Sequence, residues 1–439
     1  MKVVIIGAGF AGLDLARKLN HREGIDVLLI DKLTYHQFQP LFYQVATSAL
    51  EPSSISFPIR KVFHHSKNVR IRITNVREIR SRVNSVITDI GIYPYDVLVV
   101  ATGATTNYFG NNELAKKAIP MKSTIEAVKL KNRLINNFED ALDALTATER
   151  KKILTVVIAG AGPTGVELAG AISEMRKNML PKDYPELDFR LMEIYLLDGL
   201  DRPLANMSTR SASDAIGYLN DLGIILKMKT MVKDYDGNEV QLSDGSVIAT
   251  KTLIWAAGVK GNVPEGFTPD MVIKGRIKVD RLNRVQGTSN IYAIGDVAAM
   301  ETPLYPKGHP QLASVAKSQG KHLAKNLVRL QQGQPMEIYE FENRGSMATI
   351  ARGKGVIDLE KPKAHLNGVP AWISWMLLHA SLLYGGKNKI IVFINWLYKL
   401  FSYDQTLRLA ERHYSLVSDE TLEKIKNEDC ADVRDPVKG

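Results

Sequence analysis

The stretch VVIIGAGFAG, residues 3–12, decides the fold of the first part of the chain. Its β-branched residues predict a buried parallel strand, and the helical spacing of the residues that follow predicts a helix directly after the glycines. Gly7 permits a tight turn, Gly9 lets the backbone approach a diphosphate, and Gly12 lets helix and strand pack closely. Amide N–H groups at the start of the helix can then hold the diphosphate. The stretch therefore predicts a dinucleotide-binding βαβ unit.

Three further strands extend this unit. The strand at 26–31 ends in Asp31, and an acid at this distance from the glycines can accept hydrogen bonds from a ribose. The strand at 95–104 ends in ATGA, and the strand at 290–297 carries IGD near its end. Asp296 of IGD can hydrogen-bond the ribityl or diphosphate portion of a flavin dinucleotide.

A second copy of the pattern, ILTVVIAGAGPTGVELAG at 153–170, begins roughly 150 residues after the first. Its glycines take the same three positions: Gly160, Gly162 and Gly165. The candidate acid is Asp198, which lies beyond the usual spacing of about 20 residues because residues 178–190 are inserted before its strand. A carboxylate here favours the free 2′-hydroxyl of NAD over the phosphate of NADP, although Arg202 lies nearby.

Two cradles in one chain predict two dinucleotides side by side: FAD, bound permanently and non-covalently, and NAD(H), which comes and goes. The strand at 252–259 corresponds to the third strand of the first unit, whereas the strand at 290–297 has no counterpart in the second unit. We therefore predict an α/β protein with two Rossmann-like domains, one inserted in the other. The predicted domains are FAD-binding, 1–115 with 270–335; NAD(H)-binding, 116–269; C-terminal strands and amphipathic helices, 336–414; and a polar tail, 415–439. Residues 121–147 have a helical pattern that is polar on one side, and residues 338–359 are typical of short antiparallel strands.

The composition bounds the function. The chain has 439 residues, 45% of them apolar and 24% charged, as expected of a folded protein with two or three domains. Its one cysteine, Cys430, argues against a disulfide framework, a redox CxxC pair or a cysteine metal site, and we predict no metal. The net charge of +10 suits an anionic surface, but no basic cluster interleaved with aromatics predicts a nucleic-acid partner.

Several segments resemble the type II NADH:quinone oxidoreductases, which are single-subunit, non-pumping NADH dehydrogenases. The most specific are TYHQFQPLFYQVATSALEPSSISFPIRKVF at 34–63 and NKIIVFINWLYKLFSYDQTLRL at 388–409. The segments AGPTGVELAGAISEM, LIWAAGVKG, NIYAIGDVA and GSMATIARG are also similar to the family. The resemblance extends from residue 1 to about residue 412.

The resemblance implies specific cofactor contacts. FAD is expected on Gly7, Gly9, Gly12, Asp31 and Lys32, lined by Val76, Gly103, Asp296 and Ala313 and approached by Lys387. NADH is expected on Gly160, Gly162, Gly165 and Asp198, with Gly258 near the nicotinamide. Glu167 matches a family carboxylate close to nicotinamide and flavin, although the helix dipole alone would also favour a glutamate there. The family usually has phenylalanine at the position of Gly386.

The segment GHPQLASVAKSQGK, 308–321, predicts a helix from near Gln311 whose alanines approach the flavin. The family usually reads Ala-Gln-x-Ala-x-Gln-Gln here, and its glutamines lie by the quinone. The corresponding candidates in this chain are Ser314, Ala316, Ser318 and Gln319. Serine is too short to replace glutamine without a bridging water, so the departure concerns the quinone half of the reaction.

The C-terminal segment 390–401 is apolar but too short to cross a bilayer. Its spacing predicts a helix lying in the membrane surface, with Trp372, Trp375 and Trp396 at the interface. A dimer interface or an additional core remains an alternative. The family suggests a homodimer at the cytoplasmic face of the inner membrane.

The function implied is ping-pong oxidation of NADH, with a hydride passing to FAD and two electrons passing on to a membrane quinone, without proton pumping. A flavoprotein disulfide or sulfide oxidoreductase is a weaker alternative because it needs redox cysteines near the flavin. A reductase for an electron-carrier protein would leave the apolar C-terminal helices unexplained. A non-catalytic flavin and NADH redox sensor stays open from the sequence.

Overall fold

The computed structural model describes residues 1–402 and 408–410, and two parallel five-stranded sheets organise them. The predicted tail at 415–439, with Cys430, lies outside the described residues. Elements are numbered in chain order. The first sheet has the order β22–β9–β1–β2–β5, with bounds Ile291–Ala293, Val97–Val100, Lys2–Ile6, Asp26–Asp31 and Val69–Ile73.

The second sheet repeats this arrangement. Its order is β11–β18–β12–β13–β14, with bounds Ile119–Pro120, Thr252–Trp255, Val156–Ala159, Ile194–Asp198 and Ile225–Met228. All its pairs are parallel, as are those of the first sheet. In each sheet the strand before a glycine cradle lies between the strand that ends in the acid and the third strand of the unit. The two Rossmann-like sheets predicted from the repeated motif are therefore confirmed.

Twelve helices accompany the sheets in the described part of the chain. They are α1 Phe10–Leu19, α2 Phe42–Ala46, α3 Ile59–Val62, α4 Asn112–Lys117, α5 Thr124–Leu142, α6 Ala147–Leu154, α7 Pro163–Asn178, α8 Leu180–Asp183, α9 Thr209–Asp221, α10 Ala313–Gln331, α11 Gly368–Leu382 and α12 Gly386–Phe401. None of the helices in the described residues is both long and apolar enough to cross a bilayer.

Small sheets fill the connections. The antiparallel ones are β3 Tyr35–Gln37 with β4 Ser56–Pro58; β6 Val76–Arg80, β7 Ser85–Thr88 and β8 Gly91–Pro94; β10 Ala104–Thr106 with β19 Val259–Gly261; β15 Val232–Tyr235, β16 Glu239–Leu242 and β17 Val247–Ala249; and β24 Gly345–Ala351, β25 Lys354–Glu360 and β26 Lys363–Asn367. The remaining sheet pairs β21 Arg276–Val279 with β20 Val272–Ile273 and β23 Ala298–Met300.

The connection between the sheets explains the unmatched strand of the sequence. β22 pairs with β9 of the first sheet, although the whole second sheet intervenes in the chain. β10 and β19 pair where the chain leaves one unit and later returns to it. The exact domain boundaries stay predictions.

One long helix predicted from Met121 to Ala147 is two helices, α5 and α6. The side chain of Thr146 accepts a hydrogen bond from the backbone N–H of Glu149, which caps a new helix at this point. The Thr-x-x-Glu pattern that marks such a start was present in the sequence. α6 includes Ile153 and Leu154, the first two residues of the repeated motif, and the following strand begins at Val156.

The C-terminal strands pack directly on the second unit. A Cβ at Gly170 of α7 would lie 1.6 Å from the carbonyl oxygen of Ile350 in β24, so only glycine permits this approach. His365 of β26 lies between two carboxylates, 2.8 Å from Asp214 of α9 and 3.0 Å from Asp358 of β25. The predicted antiparallel strands in this region are confirmed, and these contacts join them to the unit that carries the second cradle.

Candidate functional site

The first glycine turn has the geometry of a diphosphate cradle. Gly7 has φ +102°, and a Cβ there would lie 2.3 Å from the carbonyl oxygen of Ala101. A Cβ at Gly12 would lie 1.9 Å from the carbonyl oxygen of Gly7, so α1 can approach the turn only with glycine at this position. Gly9 is different because a Cβ there meets no protein atom within 4 Å. The turn is therefore tight on its protein side and open at Gly9, as a bound diphosphate requires.

Asp31 fastens the end of β2 to this turn. Its carboxylate accepts hydrogen bonds from the backbone N–H groups of Ala8, at 2.6 Å, and Leu33, at 2.8 Å. Burial raises the pKa of Asp31 despite these two amide donors. A carboxylate has about four acceptor positions, so two remain for ribose hydroxyls. Lys32 is exposed directly beside it.

The other predicted flavin residues lie on neighbouring elements. Val76 is half-buried at the start of β6. Gly103 follows β9 with φ +70° and open space at its Cβ position. Ala313, half-buried, is the first residue of α10.

Asp296 lies in the turn after β22 and faces two cations. Burial raises the pKa of its carboxyl group, while Lys122 and Arg276 act in the opposite direction. Burial also lowers the pKa of Lys122, and Asp296 opposes that shift. The Lys122 ammonium group lies 3.4 Å from Oε1 of Gln39. Sequence reasoning missed Lys122, because nothing in the segment around it places it near a residue so distant in the chain.

The second cradle repeats the first. Gly160 has φ +104°, a Cβ at Gly165 would lie 1.8 Å from the carbonyl oxygen of Gly160, and Gly162 has no protein atom within 4 Å of its Cβ position. Asp198 accepts hydrogen bonds from the N–H groups of Ala161, at 2.7 Å, and Leu200, at 2.8 Å, which match the two bonds of Asp31. The long insertion before Asp198 therefore leaves the acid in the equivalent place.

Two residues close to the second cradle bear on the nicotinamide end and on nucleotide choice. Gly258 follows β18 with φ +147°, and a Cβ there would lie 3.2 Å from the ring of Phe109. Arg202, which could accommodate the phosphate of NADP, donates a hydrogen bond to the hydroxyl of Thr209 at 3.2 Å. Both cradles fit dinucleotide diphosphates. In each, a Cβ at the first or third glycine would clash with the backbone, whereas the middle glycine has open space for the diphosphate.

Glu167 lies on α7, little more than a turn after the second cradle, and its side chain is 8% exposed. The backbone N–H of Thr349 lies 3.5 Å from its Oε1, and the side chain of Trp375 donates a further hydrogen bond. Burial raises the pKa of Glu167 to about 8 despite these donors. A carboxyl group in this state holds a proton at neutral pH and can release it over a physiological range.

Glu167 lines a pocket whose opposite wall comes from the C-terminal helices. The lining residues are Tyr43, Gln44, Glu167, Ala171, Glu174, Thr349, Ile350, Ala351, Arg352, Trp372, Trp375, Met376, Trp396 and Lys399. Trp396 donates to Gln44 at 2.8 Å, and Gln44 donates to the hydroxyl of Tyr43 at 2.8 Å. The pocket therefore joins the helix of the second cradle to α11 and α12. The sequence indicated Glu167 alone among these polar residues.

Two of the tryptophans were misplaced by sequence reasoning. Trp375 and Trp396 are 2% and 5% exposed, so the prediction that they lie at a membrane interface is wrong. Trp375 stacks on His379 with ring centroids 4.0 Å apart. Half-buried Trp372 lines the Glu167 pocket. Through these rings the C-terminal helices pack against the rest of the protein.

The four quinone candidates on α10 lie in three different environments. Ser314 is exposed, while Ser318 is half-buried. Gln319 is 1% exposed, and its Oε1 accepts a hydrogen bond from the N–H of Gly295 at 2.7 Å. Ala316 packs at the same turn, since a Cβ on Gly295 would lie 3.4 Å from its side chain. Gln319 and Ala316 thus hold the IGD turn against α10.

Lys387 is exposed in the first turn of α12. Tyr384, three residues earlier, is the C-terminal residue that reaches α1: its hydroxyl donates to Asp14 at 2.6 Å. Sequence reasoning missed this pair. No cluster of metal-ligating side chains occurs among residues 1–402 and 408–410.

Comparisons with known proteins agree with this geometry. Residues 1–320 match the family model of the pyridine nucleotide-disulphide oxidoreductases. The chain is 35% identical to the type II NADH:quinone oxidoreductase Ndh of Mycobacterium tuberculosis, over 90% of this chain and 87% of that protein, and 34% identical to NdhA of the same organism, over 90% and 86%. The solved structure of Plasmodium falciparum NDH2 in complex with NADH shares the fold, with a TM-score of 0.85 at 20% identity, covering 92% of this chain and 98% of that one. The chain belongs to the pyridine nucleotide-disulphide oxidoreductases and, within them, to the type II NADH:quinone oxidoreductases.

Proposed function

We propose that this chain oxidises NADH and reduces a quinone through bound FAD, as a non-pumping enzyme at a membrane surface. The observation that carries the proposal is the position of Glu167. It lies on the helix that begins at the second cradle, and it lines a pocket walled by α11 and α12. A proton-holding group thus links a dinucleotide cradle to the helices that present apolar side chains to the outside.

The two cradles have separate roles in this proposal. The first, with Gly7, Gly9, Gly12 and Asp31, holds FAD, and the second, with Gly160, Gly162, Gly165 and Asp198, holds NADH. FAD supplies the capacity to accept a hydride and to pass two electrons onward. Lys32, Val76, Gly103, Asp296, Ala313 and Lys387 complete the flavin contacts, and Gly258 lies beside the nicotinamide.

Glu167 is the proposed catalytic acid. Quinol gains two electrons and two protons; the hydride of NADH brings both electrons and one of the protons. The carboxyl group of Glu167 can supply the other, because burial raises its pKa to about 8. The aromatic wall around it limits access of water, which keeps that proton on the carboxyl oxygen until it is needed. The carboxylate of Glu167 then takes up a proton from water before the next turnover.

A measurement of two separate half-reactions tests the proposal. NADH should bleach the flavin absorbance of the loaded protein in a stopped-flow instrument, and a soluble quinone should restore it. NADPH should reduce the flavin more slowly, because Asp198 lies where the ribose phosphate would have to bind. Bleaching by NADH without recovery on quinone would support the carrier-protein reductase or the redox sensor instead.

The quinone half-reaction gives the α10 candidates their own prediction. Ser314 is exposed at the start of α10, so Ser314→Gln has room to extend an amide toward the acceptor. We expect this variant to change the KM for quinone at least a few-fold while the KM for NADH stays unchanged, because a gained or lost hydrogen bond is worth about 1 kcal/mol. Steady-state kinetics with each substrate varied in turn will measure both constants. A change in the KM for NADH alone would move the quinone contact away from α10.

The outer faces of α11 and α12 support the membrane part of the proposal. Ile390, Phe393 and Ile394 of α12 are 61%, 49% and 55% exposed, whereas Val392 and Trp396 on its other side are buried. Two polar side chains of α12 contact the protein: Asn388 donates to the carbonyl oxygens of Ser53 and Ser56, and Lys399 pairs with Glu174. An apolar face turned outward and a positive net charge both favour an anionic bilayer.

Ile390→Glu combined with Ile394→Glu should abolish binding to phospholipid vesicles without unfolding the protein. Each isoleucine contributes about 1.5–3 kcal/mol when it leaves water, so the double variant should bind at least about 100-fold more weakly in a vesicle sedimentation assay. The matched control, Leu145→Glu with Val247→Glu, places the same charges at other exposed apolar positions and should bind normally. If the α12 variant instead halves the molar mass in solution and binds vesicles normally, this face joins two copies of the chain.

A further inference from the structure

A second cavity, open to solvent, lies between α1 and α10, and no glycine or acid of either cradle lines it. Its lining residues are Asp14, Arg17, Lys18, Lys317 and Lys321. Four of the five lining side chains are basic. None of them takes part in the proposed oxidation of NADH.

The positions of the cations follow from helix geometry. Asp14, Arg17 and Lys18 are spaced i, i+3 and i+4 on α1, so they share one face. Lys317 and Lys321 share a face of α10 for the same reason. The two helices lie very close, because a Cβ at Gly320 would be 2.5 Å from the carbonyl oxygen of Ala11. This close contact brings the two basic faces together at one cavity.

The cavity gathers more positive charge than its own carboxylate balances. Lys317 has four charged neighbours that act on it, and three of them are cations: Lys321, Arg17 and Lys389. Burial lowers the pKa of Lys317, Asp14 opposes this shift, and the three cations add to it. Asp14 is engaged through one oxygen, since Oδ1 accepts the hydroxyl of Tyr384 at 2.6 Å and lies 3.7 Å from Arg17, while its buried Oδ2 has no hydrogen-bond partner. One carboxylate still faces four basic side chains. An anion in the cavity would relieve this repulsion.

The cavity also touches the start of the segment with the apolar outer face. The ring of Tyr384, between α11 and α12, lies 5.2 Å from the guanidinium carbon of Arg17 and 5.7 Å from the ammonium nitrogen of Lys317. Lys389 lies in the first turn of α12, next to exposed Ile390. Basic groups beside a helix that lies on a bilayer are in reach of lipid phosphates.

We propose that the cavity formed by Arg17, Lys18, Lys317 and Lys321 binds the phosphate of an anionic phospholipid headgroup. The inference rests on the proposed membrane association and adds a lipid preference to it. The acyl chains would extend along the apolar face of α12, and Asp14 would stay bonded to Tyr384 below the phosphate. The site would fix the rotation of the enzyme on the membrane as well as its affinity.

The test uses the full-length, FAD-loaded protein and two kinds of vesicle: phosphatidylcholine alone, and phosphatidylcholine with phosphatidylglycerol. Arg17→Gln combined with Lys321→Gln should weaken binding to the anionic vesicles about 25-fold, since each cation near the surface is worth about fivefold in affinity. Binding to the neutral vesicles should be unchanged. The matched control, Lys129→Gln with Arg133→Gln on exposed positions of α5, removes the same two charges and should lose much less.

Equal losses in the two double variants would overturn the site, because general attraction of a basic protein would then explain the preference. Binding of the unaltered protein to both vesicles without preference would overturn the site and leave the membrane association intact. Failure to bind either vesicle would remove both. A last comparison measures the unfolding temperature in inorganic phosphate and in chloride at equal ionic strength. If phosphate raises it only when Arg17 and Lys321 are present, and the protein shows no preference for anionic vesicles, the cavity binds a free anion and the lipid assignment is wrong.

Discussion

Glu167→Gln should slow steady-state turnover with NADH and a soluble quinone by about 100-fold, while the protein keeps its FAD. The loss is the lower end of what a positioned general acid contributes. Glutamine has nearly the same shape, so the hydrogen bonds around the carboxyl group can largely persist, but it carries no proton to transfer. Turnover and the ratio of FAD to protein measure the two parts of the prediction.

The pH dependence gives the same variant a second readout. Burial raises the pKa of Glu167 to about 8, so we expect the rate of the unaltered enzyme to fall as pH rises through about 8, when the acid loses its proton. In the Gln variant this falling limb should be absent. Since the folded protein holds a proton there that the unfolded chain releases near pH 4.3, the free energy of unfolding falls between about pH 4.3 and 8. The Gln variant should lose less stability across that window.

Glu174→Gln is the matched control for this prediction. Glu174 lies on the same helix and lines the same pocket, but it pairs with Lys399 and accepts the N–H of Arg352. Its substitution should cost some stability and leave the alkaline limb in place. Unchanged turnover in Glu167→Gln, or an equal loss in both variants, would remove Glu167 from the chemistry.

Gly162→Ala should reduce kcat/KM for NADH by about 100-fold, with FAD content and fold unchanged. A Cβ at Gly162 meets no protein atom within 4 Å, so the polypeptide accommodates it. The diphosphate of the nucleotide, however, must approach the backbone at this glycine, and a displacement of about 1 Å can cost about 100-fold in rate. Gly9→Ala should have the parallel effect on the first cradle, so that the purified protein loses its flavin colour.

Neighbouring glycines give this prediction its controls. Gly217→Ala on α9 also adds a Cβ to open space and should leave both cofactor sites unaffected. Gly165→Ala should prevent correct folding of the second unit, because its Cβ would lie 1.8 Å from the carbonyl oxygen of Gly160. A normal KM for NADH in Gly162→Ala would mean that the nucleotide does not lie on this turn. Flavin titration, NADH kinetics and thermal unfolding distinguish the three outcomes.

The features that sequence could predict are those whose constraints act within a short segment. The strand, turn and helix of each cradle depend on contacts among about a dozen consecutive residues, and both cradles were predicted with their acids. The break between α5 and α6 was also local, since Thr146 and Glu149 form a recognisable cap. It was missed because the apolar periodicity continues across it.

The features that sequence could not predict depend on contacts between distant parts of the chain. Tyr384 meets Asp14 across 370 positions, and Thr349 meets Glu167 across 182. No local pattern specifies such pairs. The tryptophans show a related limit: an apolar aromatic residue on an amphipathic helix suits either a bilayer or a core, and only the packing of α11 and α12 shows that Trp375 and Trp396 are core. Glu167 was placed by resemblance, and its altered acidity became visible only with its surroundings.

The C-terminal helices form one wall of the Glu167 pocket, so they cannot be removed without altering the surroundings of Glu167. Removing α12 to obtain a soluble fragment would uncover Gln44 and the buried ring of Trp375 and would flood the carboxyl group with water. Glu167 would then return toward the acidity of an ordinary glutamate. Removing the helix that is proposed to contact the bilayer would thus impair the chemistry at a residue far earlier in the chain. Deletion of α12 would therefore abolish catalysis and the proposed membrane binding at the same time.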